Sequence, residues 1–168
     1  FSNPMVQNVY EMGSIVKPLT IAAGLDAGVI TPETVYDDRG SATYDKATIY
    51  NYDKMARGKI NIQGALNQSL NMGMAFTVEQ LGKERFAEYF KKFEIDEKTG
   101  IDLPYEAQPL TENLDSSRMI EPVTASFGQG IALSPIGITR ALAIIGNGGH
   151  LITPHIVEKI NYTVGVSK

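Results

Sequence analysis

Apolar residues recur at helical spacing through most of the chain, and one stretch with a strand-like pattern interrupts them. Residues 14–27 are almost continuously apolar, which predicts a deeply buried helix that ends before Gly28. Ser14 is placed to cap its N-terminus, and Pro18 falls in or just past its first turn, where a missing N–H costs little. In residues 34–62, tyrosines and isoleucines alternate with polar residues between turn signals, which predicts one or two irregular β-hairpins.

Helical spacing returns near Gln63. It predicts two helical pieces that meet around Asn71-Met72-Gly73, followed by a short helix that starts after Gly82 and buries three phenylalanines. Residues 94–118 are polar and rich in turn formers, which predicts a long surface loop. Helices are therefore expected between Gln63 and Phe93, and a loop after them.

The last third of the chain predicts one more helix and a strand. Pro135 to Gly146 has apolar residues on one helical face, and Asn147-Gly148-Gly149 then predicts a turn into a strand from Leu151 to Ile160. Helices with scattered strands, and no alternation of strand and helix, indicate the α+β class.

Composition narrows the class of protein. The 168 residues are 43% hydrophobic and 20% charged, as expected for one globular domain over residues 1–168 with a sizeable core. The net charge of −4 and the lack of a basic run argue against a nucleic-acid partner. There is no cysteine, which excludes disulfide scaffolds, zinc ribbons and thiol chemistry. No apolar stretch approaches the roughly 18 residues that cross a bilayer, so we expect no membrane contact from this segment.

The stretch Y-E-M-G-S-I-V-K-P-L-T places Lys17 three residues after Ser14. This spacing puts both side chains on one helical face, where a lysine freed of its proton by burial can activate a serine hydroxyl without histidine. Ser14 would also lie at the positive end of the helix dipole, where an oxyanion is stabilised. On its own the spacing is weak evidence, because a capping serine and a solvated lysine give the same pattern.

A second pair of polar residues lies where two helical pieces are predicted to meet. Ser69-Leu70-Asn71 is the only S-x-N in the chain, and both polar side chains can point from such a junction into a cleft. There a hydroxyl relays a proton, and an amide both donates to and accepts from a peptide backbone. Local bonds from these side chains to the backbone are the alternative explanation.

With the sequences around them, these residues resemble the transpeptidase domain of penicillin-binding proteins, specifically the high-molecular-mass class B group. S-x-x-K, S-x-N and K-[ST]-G are the motifs of this serine acyltransferase superfamily. The resemblance covers residues 1–157 and includes segments well beyond the short motifs: A-A-G-L-D-A-G-V-I-T-P, T-G-I-D-L-P, S-F-G-Q-G-I-A and N-G-G-H-L-I-T-P-H-I-V.

The resemblance implies both a fold and roles for individual residues. It implies an α+β fold: the mostly helical subdomain of the β-lactamase/transpeptidase-like fold with part of its antiparallel sheet, incomplete at the C-terminus. Ser14 is then the acylated nucleophile, Lys17 the general base, Ser69 the proton shuttle and Asn71 the substrate-binding amide. No cofactor and no metal are implied, and His150 and His155 are expected to be surface or edge residues.

The resemblance also implies substrates and a location. The substrate is a peptidoglycan stem peptide ending in D-Ala-D-Ala, which this family cross-links through a serine acyl-enzyme, and β-lactam antibiotics are expected to block the serine. We expect the protein to work outside the cytoplasmic membrane, anchored by an N-terminal segment of a longer parent. Other cell-wall synthesis proteins are possible partners.

The third motif needs separate treatment. Lys98-Thr99-Gly100 matches K-[ST]-G in sequence. The neighbouring T-G-I-D-L-P, however, resembles a loop upstream of that motif in the family, so we assign residues 98–100 to a surface loop. The true K-[ST]-G is expected on a strand beyond Lys168. On that expectation the 168-residue chain is a fragment that does not turn over, because losing even one oxyanion-hole donor costs about 10²–10³ in rate.

Three other functions remain open. One is a β-lactam sensor that is acylated and then signals, and another is a hydrolase, either a D,D-carboxypeptidase or a β-lactamase, with the same Ser14–Lys17 pair. The third is a purely structural or folding unit. The class B-like sequences around the motifs disfavour the sensor and the hydrolase.

A group of acidic residues and a group of tyrosines are interpreted as structural and not as parts of a site. Acidic residues in two predicted loops are most simply solvated charges: Asp37, Asp38, Glu94, Asp96 and Glu97. Tyr44, Tyr50 and Tyr52 are expected to pack in the core or the sheet rather than to line a surface for a partner.

Overall fold

Helices make up most of the regular structure in the computed structural model, which describes residues 2–161. The α-helices are α1 (Pro4–Gln7), α2 (Lys17–Asp26), α3 (Ile62–Asn67), α4 (Asn71–Leu81), α5 (Lys83–Lys92), α6 (Ile120–Ala125) and α7 (Pro135–Gly146). Two 3-10 helices, Gly13–Val16 and Glu112–Asp115, complete the helical elements of the described residues. The predicted junction before Asn71, the helix after Gly82 and the helix Pro135–Gly146 are confirmed.

Helix α4 forms the centre of the core. It packs against α2, α3, α5 and α6, and its apolar side chains from Met72 to Leu81 are almost completely buried, except for the partly buried Phe76. Small residues let the neighbouring helices approach closely: a Cβ on Gly73 would lie 2.5 Å from the Ala65 side chain, and one on Gly24 would lie 2.7 Å from Thr77. Because interiors are close-packed, these contacts fix where α4 begins, and therefore where Asn71 lies.

The predicted β region consists of two antiparallel pairs, one nested in the other. Strands β2 (Ser41–Tyr44) and β3 (Ala47–Tyr50) form a tight hairpin, and β1 (Val35–Asp38) pairs with β4 (Gly58–Asn61) on either side of it. The expectation of one or two short hairpins, and with it the α+β class, is confirmed. The nested arrangement projects the segment between β3 and β4 outward as a loop.

The predicted strand from Leu151 to Ile160 is wrong: these residues have no regular secondary structure. A strand needs a backbone partner, and in the described part of the chain the segment bonds instead to a side chain. The N–H groups of Ile156 and Val157 donate to the two carboxylate oxygens of Asp102, at 2.7 and 2.8 Å. Asp102 thus ties this segment to the T-G-I-D-L-P loop.

The predicted loop 94–118 is irregular apart from the 3-10 helix Glu112–Asp115, but it is firmly held. The Arg140 guanidinium, buried on α7, donates to the Glu94 carboxylate and to the backbone oxygens of Glu94 and Lys98. Helix α6, which follows the loop, was not predicted. Its sequence I-E-P-V-T-A carries a proline and β-branched residues, which are weak helix formers, and burial of the helix overrides that local preference.

A contact between two glycines positions the turn that carries Ser14. Gly13 N–H donates to Gly128 O at 3.0 Å, and a Cβ on Gly128 would lie 2.2 Å from Gly13 O. Gly128 also has φ of +79°, in the left-handed region. Any side chain at position 128 would therefore push the backbone away immediately before the candidate nucleophile.

We expect Gly128→Ala to cost about 4 kcal/mol or more of unfolding free energy in urea denaturation, because the clash is with backbone that cannot rotate away. Gly148→Ala is the matched control: Gly148 has the same φ of +79° but no atom within 4 Å of the added Cβ. It should show only the conformational cost of about 1–2 kcal/mol. Equal losses in the two variants would contradict the role assigned to the Gly13–Gly128 contact.

Candidate active site

Ser14 lies within the 3-10 helix Gly13–Val16, which runs directly into α2. The expectation that Ser14 caps the helix is wrong, because Gly13, with φ of +58° and its N–H bonded to Gly128, starts the helical turn one residue earlier. The predicted separation of Ser14 and Lys17 by one helical turn is confirmed. The Lys17 N–H donates to Ser14 O, so the two residues lie one tight 3-10 turn apart. Ser14 is exposed, whereas Lys17 is buried.

The Lys17 side chain is only 1% exposed, which excludes the solvated lysine that the motif alone allowed. Its Nζ atom donates to Ser69 O at 2.6 Å and is 3.0 Å from Ser69 Oγ. Burial disfavours the charged form of the amine and lowers the pKa of Lys17 from 10.5 to about 8. Among residues 2–161, both hydrogen bonds of this amine go to Ser69 and neither goes to Ser14.

Ser69 joins α3 to α4 in an unusual backbone conformation. Its φ is +54°, in the left-handed region that residues other than glycine rarely adopt. The Ser69 N–H is bonded to Leu66 O, and its carbonyl accepts from Lys17, so both backbone groups have partners. Strained backbone of this kind is concentrated at functional sites, where the surrounding structure holds it in place.

Asn71 is the first residue of α4. Its amide Nδ2 donates to Tyr50 O, at the end of β3, at 2.8 Å. Within residues 2–161 its side-chain oxygen makes no hydrogen bond. Asn71 therefore has a fixed orientation and an acceptor that is available to a ligand.

One cleft of about 580 Å³ brings three of the four predicted residues together. Ser14, Ser69 and Asn71 all line it, and Lys17 lies buried behind Ser69. The other lining residues, none of which was predicted as a site residue, are Gly13, Thr48, Ile49, Tyr50, Asn51, Tyr52, Lys54, Gln68, Phe127 and Gln129. Phe127 and Gln129 belong to S-F-G-Q-G-I-A, a segment that resembles the family. That resemblance is the sequence signal that could have identified them as cleft residues.

The K-T-G at residues 98–100 is outside this cleft. Thr99 is buried, and its N–H and hydroxyl both donate to the Glu106 carboxylate at 2.6 Å. The segment is in a loop, as expected, but its threonine holds that loop together instead of lying at the surface.

A buried polar network supports the wall of the cleft, and it contains a residue that the sequence interpretation placed in solvent. Asp38 is 1% exposed; its carboxyl oxygens accept from Tyr36 Oη, Gly40 N and Asn51 Nδ2, at 2.7 to 3.0 Å. Asn51 in turn accepts from the Met72 N–H through its side-chain oxygen, at 3.1 Å. The network therefore links β1 to the first turn of α4, next to Asn71.

The expectation that the three tyrosines pack in the core or the sheet is wrong for Tyr52, which is in neither; Tyr50 ends strand β3, but its ring is not covered. Tyr50 is 45% exposed and Tyr52 is 99% exposed, and both line the cleft. Tyr44 is partly buried, and its hydroxyl bonds to Glu79. The alternation of tyrosines with polar residues located the strands, but it did not show which face is covered.

Comparison with known protein families identifies the chain. The model of the penicillin binding protein transpeptidase domain matches residues 1–168. The chain belongs to this transpeptidase family. Its relatives include stage V sporulation protein D of Bacillus subtilis, 33% identical over 158 residues, and the probable peptidoglycan D,D-transpeptidase FtsI of Caulobacter vibrioides, 31% identical over 158 residues.

These matches cover 94% of this transpeptidase-family chain but only 24% and 26% of the two relatives, so the chain spans about a quarter of their length. Solved structures agree on the fold. A peptidoglycan synthetase from Bifidobacterium adolescentis has a TM-score of 0.90 at 26% identity, covering 99% of this chain and 31% of that one. The TP domain of penicillin-binding protein 3 from Burkholderia pseudomallei has a TM-score of 0.84 at 26% identity, covering 92% and 46%.

Two further observations concern other kinds of site in this penicillin-binding protein domain. Within residues 2–161, no three side chains of the His, Asp and Glu types come together in an arrangement that holds a metal ion. Nor does any helix of that range have the length and apolar character needed to cross a membrane. Both histidines are exposed.

We expect Lys17→Met to make the protein more stable than the native chain near pH 7, by roughly 1–3 kcal/mol, because relief from burying a charge outweighs the loss of the two hydrogen bonds to Ser69. Below pH 8 the Lys17 amine is charged in the folded and unfolded states. From about 8 to 10.5 only the unfolded chain keeps the proton, so the native chain gains stability as pH rises and the advantage of the variant disappears.

The measurement for Lys17 is urea unfolding at a series of pH values from 7 to about 10.5. Lys59→Met is the control, because Lys59 is exposed on β4, and its effect should not change with pH in this way. A constant difference between Lys17→Met and the native chain would show that the amine is not held in a low-pKa environment.

We expect Asp38→Asn to cost about 2–4 kcal/mol in urea unfolding, because the new amide group cannot accept every hydrogen bond that the buried carboxyl oxygens now accept. Asp37→Asn makes the same change one residue away, at an exposed side chain paired only with Arg39, and should stay within about 0.5 kcal/mol of the native protein. A similar small effect at both positions would contradict the network described here.

Proposed function

We propose that this chain forms the part of the active-site cleft of a serine D,D-transpeptidase that carries the nucleophile and its proton-transfer groups. The observation that carries the proposal is the Lys17 amine, 1% exposed and hydrogen-bonded to Ser69 behind a cleft that Ser14 and Asn71 also line. The relatives of this chain include peptidoglycan D,D-transpeptidases, which supports the reaction class.

In the first step, the Ser14 hydroxyl oxygen attacks the carbonyl of the penultimate D-alanine of a stem peptide. Its proton passes to Lys17, which is partly neutral because its pKa is about 8. The peptide C–N bond then breaks, and the leaving D-alanine nitrogen receives the proton through the Ser69 hydroxyl, which lies 3.0 Å from Lys17 Nζ. Ser14 is left as an ester with the shortened peptide.

In the second step, the amine of a neighbouring stem peptide attacks this ester. Its proton passes to Lys17 and back to Ser14 Oγ as the ester bond breaks, so the enzyme is regenerated and the two peptides are joined. Asn71 holds the peptide: its oxygen accepts an N–H from the substrate, while Nδ2 stays bonded to Tyr50 O. Neither step consumes a cofactor.

The same chemistry accounts for the expected inhibitor and the location. A β-lactam presents an amide carbonyl in a strained ring to Ser14, and the ring-opened product remains attached. Peptidoglycan is outside the cytoplasmic membrane, and we place the reaction there, in a protein that works with other cell-wall synthesis proteins.

We expect a fluorescent penicillin to label the full-length protein on Ser14, and Ser14→Ala to abolish the label. Ser69→Ala should slow labelling by about 10²–10³, within the range for a lost proton-transfer group. Ser117→Ala, at an exposed serine outside the cleft, is the control and should label like the native protein. Labelling that persists in Ser14→Ala, as read by peptide mass spectrometry, would overturn the proposal.

The lifetime of the adduct separates the competing functions. Rapid release of the drug would indicate a β-lactamase, whereas a stable adduct is expected for a transpeptidase or a sensor. A stem peptide supplied with an amine acceptor then distinguishes these two, because only the transpeptidase forms the cross-linked product.

A further inference from the structure

We propose that Lys54, together with Tyr50 and Tyr52, forms a subsite for a carboxylate that the ligand carries away from its reacting bond. Lys54 is the only charged residue among those that line the cleft in the described part of the chain. The inference rests on the proposed function, because it takes the ligand to be a peptide or β-lactam that reaches Ser14.

The Lys54 ammonium is free to meet a ligand. Its side chain is exposed, and among residues 2–161 no carboxylate oxygen lies within 4 Å of its nitrogen. Instead Nζ lies 5.3 Å from the centroid of the Tyr50 ring, a cation–π contact with a residue that lines the cleft. Tyr52, 99% exposed, adds a second uncovered ring to the same cleft.

The turn that presents Lys54 is rigidly held. The Lys54 N–H bonds to Asn51 O at 2.9 Å, and Asn51 itself is buried and bonded to Asp38. Lys54 has φ of +60°, a conformation that needs such support.

The far side of the turn is tied down by a second set of bonds. Asp53 accepts from the Arg57 guanidinium at 2.6 Å, and Arg57 Nε donates to Gln68, the residue before Ser69. A Cβ on Gly40 would lie 2.8 Å from Ala56 N, so the loop also packs closely against the β1–β2 connection. A cation on a loop anchored at both sides loses less entropy on binding than one on a free loop.

Asn71 ties this subsite to the candidate catalytic groups. Its Nδ2 donates to Tyr50 O at 2.8 Å, and the ring of the same tyrosine makes the cation–π contact with the Lys54 ammonium. A ligand whose backbone is held by Asn71 therefore passes beside the ammonium. The chain has a net charge of −4, and Lys54 is the one charged side chain that lines the cleft in the described residues, so its ammonium gives the cleft wall a local preference for an anionic group.

Benzylpenicillin and its α-carboxy derivative provide the test, because they differ only by a carboxylate on the side chain. Both share the carboxylate next to the lactam ring. We expect Lys54→Gln to lower the second-order acylation rate of the α-carboxy compound about two- to fivefold relative to benzylpenicillin, the range for an exposed ion pair, and the difference to fade at high salt. Lys54→Arg should restore the preference, and Lys54→Glu should reverse it.

Lys59→Gln makes the same charge change outside the cleft and should leave the ratio of the two rates unchanged. An equal loss for both compounds in Lys54→Gln would assign Lys54 to the shared carboxylate, and no change in either rate would leave it without a role; each result overturns the inference. If benzylpenicillin fails to acylate the native full-length protein, the proposed function is wrong, which is a separate outcome.

Discussion

The burial of one amine is the constraint on which the candidate site depends. Lys17 has almost no contact with water, and its partners are the carbonyl and hydroxyl of Ser69, from a different part of the chain. A buried lysine is tolerated only where its hydrogen bonds are satisfied or its proton can leave, and both conditions are met here. The left-handed conformation of Ser69, the small residues around α4 and the Asp38 network hold the acceptors in that place.

Much of the fold could be predicted from the chain, and the failures have physical causes. Helices such as Pro135–Gly146 were predictable because caps, a proline and an apolar face agree. The strand from Leu151 to Ile160 failed because strand formation depends on a partner that a local pattern cannot reveal. Helix α6 was missed because burial, and not propensity, stabilises I-E-P-V-T-A.

In the candidate site, too, features set by local sequence were predictable and features set by tertiary contacts were not. The short motifs singled out Ser14, Lys17, Ser69 and Asn71, and the structure groups them around one cleft. Local helical geometry explains the spacing within a motif, whereas the contact between the two motifs is tertiary, and only the family resemblance pointed to it. The sequence did not predict the residues whose place in the site depends on tertiary contacts. Asp38 was interpreted as a solvated charge, and the cleft wall formed by Tyr50, Tyr52 and Lys54 was not predicted. Whether a polar side chain in a turn is buried depends on what folds over it, and that information lies elsewhere in the chain.

The contact between Gly13 and Gly128 has a consequence for folding. These residues are far apart in the sequence, so the turn that presents Ser14 closes only after the helices between them have assembled, and contacts of such long range form late because closing the chain costs entropy. A chain still emerging from the ribosome therefore has the serine and the lysine but not their alignment, and reactivity at Ser14 reports that the segments carrying Gly13 and Gly128 have come together.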